Sequence, residues 1–340
     1  VTLSLTEYSG DPEYWDTVCS MHAGSHLLQS FEWGEVKRVS GWQPSRVIAY
    51  KDAKAVSHVQ VLFKGFHKLR FAYVPKGPVI DRVEDLPEVL TALEGFCRKR
   101  GACTLQVDLP FPGTPEPLPR GWKLAHPVQP QTTLVVELTD PHRMLASMRP
   151  KTRYNLRLAQ KKGVKVTPRQ DAQAMEAFYR LLLDTAKRDG FGIHPLSYYM
   201  EFWKQFVVRD LAVVFLAEVD SSTLAGLVAA RWGTQAYYLY GASASYGREF
   251  MASYLLQWEA MMWARARGCH SYDLWGVPAE AEAGLSEEEI EHRRIKEGGL
   301  WGVYRFKSGF GGSLVKYTAV RKDLTVPGKL LYVLKELRRK

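Results

Sequence analysis

The chain carries one small unit twice, and that duplication constrains its fold more than any other feature. The first copy reads as strands over 46–52, 56–63 and 69–74, a helix over 86–100 and a strand over 103–109. The second reads as strands over 213–220, 224–233 and 236–241, a helix over 251–268 and a strand over 271–276. Tyr73 corresponds to Tyr240 and Gly101 to Gly268, each pair about 167 residues apart. Apolar runs of strand length bounded by turn residues, followed by an amphipathic stretch of helical period, are what the reading rests on.

A β-β-β-α-β order with matched loop lengths is the core of an N-acyltransferase domain. The expected fold is therefore α/β (α+β), with two tandem GNAT-like acyltransferase domains sharing a cleft. At 340 residues the chain exceeds one comfortable core and suits two domains. We place the first at 1–140 together with about 318–340, since the stretch 312–321 can return to close it, and the second at 141–317. A proline-rich stretch, 110–130, is expected to interrupt regular structure. The charged segment 280–298 reads as a short helical surface insertion, and 328–340 as an amphipathic helix.

With 46% hydrophobic residues the chain is a folded globular protein. Four cysteines without a CxxC pair fit buried thiols in a reducing compartment. No apolar run reaches membrane-span length, and no basic-then-apolar leader is present, so a cytoplasmic location is expected, with peripheral contact at the inner face of the membrane. Val1 stands where an initiator Met would, which implies processing or trimming. Nine histidines include no HxH or HExxH pair, and no metal site or cofactor is expected. Trp33, Trp42, Trp258, Trp263 and Trp275 read as core.

The net charge of +10 admits a polyanionic partner. Its distribution is more telling. Seven basic residues and no acidic one lie between Arg149 and Lys165. Arg149, Arg153, Arg157 and Lys161 recur every four residues and stack on one helix face, with Tyr154, Leu156 and Leu158 turned inward. Like charges at this spacing repel, a cost that a phosphate backbone would neutralise. A solvated helix face is the competing reading.

Acetyltransferases of this fold seat the cofactor pyrophosphate on an Arg/Gln-x-x-Gly-x-Gly/Ala turn at a helix start. The matching loops here, 75–85 and 241–250, lack that pattern; Pro75 and Pro78 remove two donors, and Tyr246, Glu249 and Phe250 crowd the second. Acetyl-CoA is thus disfavoured as donor. The segment 300–312 surrounds Lys307 with aromatics at 301, 304, 306 and 310, so its ammonium can stabilise an oxyanion or a terminal phosphate. The plain alternative is a strand ending in a glycine turn with an exposed lysine.

Six ordered segments, 29–37, 73–79, 149–155, 240–243, 272–277 and 304–312, together resemble the Fem family of non-ribosomal peptidyltransferases. These enzymes build the interpeptide bridge of bacterial peptidoglycan. The resemblance implies an aminoacyl-tRNA donor and an acceptor that is a UDP-linked muramyl pentapeptide or its lipid-linked form. It implies transfer of Gly, Ala or Ser to the side-chain amine of the stem peptide, by a monomer of the compact form that lacks a coiled-coil arm. By this likeness Lys37 contacts the acceptor diphosphate, with Tyr240 and Tyr198 in the same pocket and Trp33, Tyr73 and Lys76 completing the substrate contacts. His194 stands where a compact relative has a phosphate-binding arginine. Phe306 and Lys307 match the pair at the transfer step, and Asp108 an acidic residue considered as a base, although its strand position suits a structural role equally. The basic face of Arg149, Arg153, Arg157 and Lys161 is assigned to tRNA. A Fem-like N-acyltransferase with another donor, and a non-catalytic RNA-binding protein, are the alternatives.

Overall fold

The computed structural model describes residues 3–22, 24–65, 69–113, 117–326 and 328. In chain order it begins β1 (Ser4–Glu7), α1 (Pro12–Met21), α2 (Phe31–Arg38), β2 (Gln43–Lys51), β3 (Lys54–Lys64), β4 (Arg70–Val74) and β5 (Val79–Ile80). There follow α3 (Leu86–Lys99), β6 (Ala102–Pro112), β7 (Lys123–Ala125), β8 (Thr132–Glu137), α4 (Pro141–Ser147), α5 (Pro150–Lys161) and β9 (Lys165–Arg169). Next are α6 (Ala172–Asp189), α7 (Leu196–Phe202), β10 (Ala212–Val219), β11 (Ser222–Trp232), β12 (Gln235–Ser243) and α8 (Ala252–Ala266). The chain then forms β13 (Ser271–Val277), α9 (Glu287–Glu297), α10 (Leu300–Lys307) and β14 (Ser313–Asp323). Past Gly328, the carboxy-terminal helix expected from sequence lies outside the described residues.

The chain divides into two compact units, Val1–Gln131 with Lys316–Lys340, and Thr132–Val315. In the first unit the strand order is β1-β2-β3-β4-β6-β14, with β5 on β3 and β7 on β14. All pairs are antiparallel except β4 with β6, which α3 connects. Helix α3 packs through Leu86, Val89, Leu90, Leu93 and Cys97, a spacing of three and four that makes one apolar stripe. The second unit has the order β8-β13-β12-β11-β10-β9, and its one parallel pair, β12 with β13, is connected by α8. The two copies thus repeat the same parallel crossover, the step that requires an intervening helix.

Three expectations shift. Strand β8 pairs with β13, so it belongs to the second unit and the division falls before Thr132, not at residue 140. The proline-rich stretch is not wholly irregular: β6 runs through Pro110 to Pro112, and β7 pairs with β14 inside it. Pro110 opposes no residue in either ladder register, a position where its missing N–H costs nothing. Segment 280–298 is more than a surface insertion. Its helix α9 opens with a Ser286/Glu289 capping box and buries Ile290 in the core that holds Trp301 and Tyr304 of α10.

Candidate functional site

The two copies differ at the point where their parallel strands end. In the second unit only Gln235–Tyr237 of β12 pair with β13, at Ser271–Asp273. From Tyr238 to Ser243 the strand turns away, held on its far side by β11 and by Thr185 and Arg188 of α6, which bond Ser243. A cavity of about 260 Å³ opens there, lined among others by Tyr238, Gly241, Ser243, Gln257, Phe306 and Lys307. A Cβ at Gly241 would collide with the Tyr238 hydroxyl, so glycine is required for close approach rather than for backbone freedom. In the first unit hydrogen bonds tie the chain beyond the equivalent fork. The Gly77 N–H donates to the Asp108 carbonyl at 3.0 Å, and Gln29 donates to the Pro75 carbonyl at 2.7 Å.

Lys307 is 6% exposed at the last turn of α10, which overturns the strand-and-turn alternative with an exposed lysine. Glycines at 298 and 299 take positive φ and start this helix, while Gly309 fits against Thr152 of α5 where any side chain would clash. The Lys307 ammonium donates to the Gly276 carbonyl at 2.8 Å and stands 5.3 Å from the centre of the Tyr238 ring. Burial pushes its pKa down to about 8, against an opposing pull from Asp273. That carbonyl is aimed by an irregularity in β13. The register with β8 shifts between Asp273 and Gly276, and Trp275 sits at φ +65, a strained setting for so bulky a residue. The Asp273 carboxylate accepts the Trp275 N–H at 2.7 Å and fixes the bulge. No sequence signal marks a tryptophan for this conformation.

Phe306 packs edge-on against Tyr254 and Phe310, and it lines two cavities. The second, about 300 Å³, is also lined by Arg149, Lys151, Tyr254, Glu287 and Arg305.

The basic helix departs from its expected orientation. Thr152, Asn155, Leu156 and Ala159 are its buried residues; Leu158 is half-buried, and Tyr154 is 64% exposed instead of turned inward. Arg157 and Lys161 are exposed. Arg153 is not available to a partner in the same way, because it curls back to donate to the carbonyls of Leu145, Ala146 and Met148 at the end of α4. Arg149 faces Glu287 at 3.8 Å. The four residues therefore do not act as one stripe, since the α4 carbonyls and α9 each engage one of them.

His194, Tyr198 and Tyr240 come together. The exposed His194 ring stacks on Tyr198 at 4.0 Å, and the Tyr198 and Tyr240 hydroxyls lie 3.5 Å apart. Burial raises the pKa of both phenols. In the first unit Lys37 lies 4.5 Å from the centre of the Trp33 ring, and burial with Lys64 nearby lowers its pKa to about 8. Lys64 in turn lies 5.5 Å from Trp42, whose ring neighbours Phe71 and Tyr73. Trp42, read as core, is only half-buried and forms part of this aromatic and cationic face. Lys76 is buried with its ammonium 3.1 Å from the centre of the Tyr317 ring.

Asp108 is 1% exposed and fully engaged. Its carboxylate accepts the Tyr73 hydroxyl at 2.8 Å, the Val128 and Gln129 N–H groups at 2.9 and 2.8 Å, and the Gln106 amide at 3.2 Å. Burial still raises its pKa above the usual range. With four donors on it, this carboxylate ties the 126–129 loop to β4 and β6, and Tyr73 serves that tie. Among the described residues no cluster of His, Cys, Asp or Glu could hold a metal ion, and no helix is long and apolar enough to cross a membrane. All four cysteines are buried thiols.

The family model that matches this chain is the FemAB family, over residues 12–111, 120–223 and 220–319. The chain belongs to the FemAB family. Among curated relatives, Lipid II:glycine glycyltransferase of Staphylococcus aureus is 22% identical, over 87% of this chain and 87% of that protein. Among solved structures, FemX superposes with a TM-score of 0.80 at 20% identity, covering 97% of this chain and 99% of that one. A tandem GNAT protein from the clavulanic acid biosynthesis pathway shares the fold at a TM-score of 0.52 and 11% identity, over 95% and 98%. The fold is thus a FemAB one built from tandem GNAT-like units, without a long inserted arm among the described residues.

Proposed function

We propose that this FemAB-family chain is an aminoacyltransferase that moves Gly, Ala or Ser from aminoacyl-tRNA to the side-chain amine of a peptidoglycan precursor stem peptide. The observation that carries the proposal is the buried Lys307 ammonium, held by the Gly276 carbonyl in the cavity between the diverging β12 and β13 strands. The glycyltransferase relatives in S. aureus support the reaction class. The crowded 241–250 loop, with Met251 in a left-handed conformation at the start of α8, supports a donor other than acetyl-CoA.

The chemistry asks for orientation and charge rather than a covalent intermediate. The amine adds to the ester carbonyl, the carbonyl oxygen becomes an oxyanion, and the ribose oxygen leaves with a proton while the amine loses one. Lys307 in its charged form stabilises the oxyanion in a water-poor setting, where a fixed cation is worth far more than in bulk solvent. Phe306 forms the wall along which the acyl group lies. Alignment of amine and ester within about 3–3.5 Å supplies the rest of the acceleration. The acceptor diphosphate is assigned to Lys37, with Trp33 beside it, and the acceptor pocket to His194, Tyr198 and Tyr240. Arg157 and Lys161 meet the tRNA acceptor arm. Asp108, saturated by its donors, is assigned a positioning role and not that of a base.

The test is direct. The protein is incubated with tRNAs charged with labelled Gly, Ala or Ser and with UDP-linked muramyl pentapeptide or the lipid-linked precursor. Label on either acceptor's amine, lost in Lys307→Met, is the expected result. No transfer with any pair, or transfer from an acyl-CoA instead, overturns the reading.

A further inference from the structure

A departing ribose oxygen takes up a proton, and the Lys307 cavity holds a second donor besides the ammonium. Strand β12 carries a bulge: Ala229 of β11 faces Tyr238, while the adjacent Val228 faces Tyr240. The extra residue turns the two tyrosines to opposite faces of the sheet. Tyr240 meets Tyr198, Tyr199 and Phe202, whereas Tyr238 lines the cavity with Lys307, Gln257 and Gly241. The Tyr238 hydroxyl stands over Gly241, in the place a side chain there would need. A chain of hydrogen bonds sets the direction of its proton. Tyr272, wholly buried, donates its hydroxyl to the Gln257 side-chain oxygen at 3.1 Å. Turning the amide over would leave that buried hydroxyl without its acceptor. The Gln257 amide nitrogen is thus the end that faces Tyr238. Its hydrogen bond to the phenol oxygen opposes burial, which pushes the phenol's pKa up to about 12. An oxygen that accepts from the amide keeps its own proton to donate into the cavity.

We propose that Tyr238 is the catalytic acid of the transfer, giving its hydroxyl proton to the ribose oxygen as the carbon–oxygen bond breaks. The inference rests on the reading of an aminoacyl ester of RNA as donor. The amine adds to the ester carbonyl, which forms an ammonium beside an oxyanion held by Lys307. The oxyanion collapses, the bond to the ribose oxygen breaks, and the electron pair of that bond takes the Tyr238 proton. The phenolate left behind is stabilised by the Gln257 amide and by the Lys307 cation, 5.3 Å from the ring centre. It recovers a proton from the ammonium nitrogen. The products are an amide and a ribose hydroxyl, with the tyrosine and the lysine back in their starting forms. A phenol raised by burial stays protonated at neutral pH, so the acid is in its working form before each turnover.

The experiment measures transfer by the whole protein from RNA charged in two ways. One donor carries the acyl group on the ordinary ribose oxygen, the other on a ribose sulfur, which leaves as a thiolate and needs no proton. Tyr238→Phe should lower kcat with the oxygen ester about a hundredfold or more, with the KM for RNA and for acceptor within about twofold of wild type. With the sulfur ester the same variant should lose less than about threefold. Gln257→Leu, which lets the phenol proton turn away, should cost about tenfold in kcat with the oxygen ester and little with the sulfur ester. Because the two residues act as one unit, the double variant should lose no more than Tyr238→Phe alone. An unchanged rate in Tyr238→Phe, or an equal loss with both esters, overturns the proposal; equal loss would make Tyr238 a wall of the cavity. If Tyr238→Phe does not fold, an unchanged rate or an equal loss with both esters in Gln257→Leu overturns it instead. Wild-type transfer that the variants leave intact removes the acid and keeps the donor assignment. Absence of transfer from either charged RNA by wild type removes both.

Discussion

Replacing Lys307 by methionine should abolish transfer without unfolding the protein, and should alter the pH dependence of stability in a defined direction. Burial lowers the folded-state pKa of this lysine from its ordinary 10.5 to about 8. That depression corresponds to about 3 kcal/mol of folding free energy, lost in full wherever the side chain is charged in both states. Between about pH 8 and 10.5 the unfolded chain keeps the proton that the folded chain has released, so the unfolded state binds more protons. Wild-type stability therefore gains a rising contribution from Lys307 across that window, and carries the whole penalty below it. Methionine removes the penalty but leaves the Gly276 carbonyl without its donor, at a cost of about 1–3 kcal/mol. The two effects oppose each other, so at about pH 7 the variant should lie within about 2 kcal/mol of wild type, neutral or more stable. By about pH 10 wild type should have gained up to about 3 kcal/mol relative to the variant. Urea unfolding followed by tryptophan fluorescence at both pH values measures this, and label transfer measures activity. A variant destabilised by several kcal/mol, with a difference that ignores pH, would mean that Lys307 is a structural lysine. Near-native turnover would refute the catalytic assignment outright.

The same lysine sets an alkaline limit to the reaction. Turnover should fall above about pH 8 as its ammonium titrates, and Lys307→Arg, which stays charged, should lose that alkaline limb even at reduced rate; a limb that persists in the pH profile belongs to another group. On the basic helix, reversing Arg157 and Lys161 to Glu should raise the KM for tRNA and lower the salt slope of binding by roughly two. Arg153→Glu should instead lower the melting temperature, because that arginine serves the α4 carbonyls. Asp108→Asn should destabilise by about 2–4 kcal/mol, since an amide keeps only one acceptor oxygen for four donors and turns its NH2 either to the Gln106 amide donor or to the Tyr73, Val128 and Gln129 donors. Its turnover per folded molecule should stay near wild type. A loss of a thousandfold or so with unchanged unfolding would restore a base role.

Local sequence was sufficient for the repeated skeleton. Strands and helices of both copies lie within a few residues of the periodicity reading, because alternation and the three-four spacing of α3 record burial that neighbours along the chain share. The absence of a pyrophosphate turn after β4 and β12 was equally legible, being a matter of which residues occupy one loop. Contacts distant in sequence decided the rest. Whether Tyr154 or Thr152 faces the core depends on which side of α5 meets α8 and the turn at Gly309, and both faces of that helix contain residues able to be buried. The left-handed Trp275, the carbonyl it aims at Lys307, and the depressed pKa that follows come from strand divergence, not from any motif. Glu287 and Glu291 look like solvated charges in the sequence. The packing of α9 on α10 sets Glu291 against Arg305, and the fold brings Glu287 to Arg149 at the start of α5, because electrostatic pairing depends on distance in space, which the order of residues does not encode.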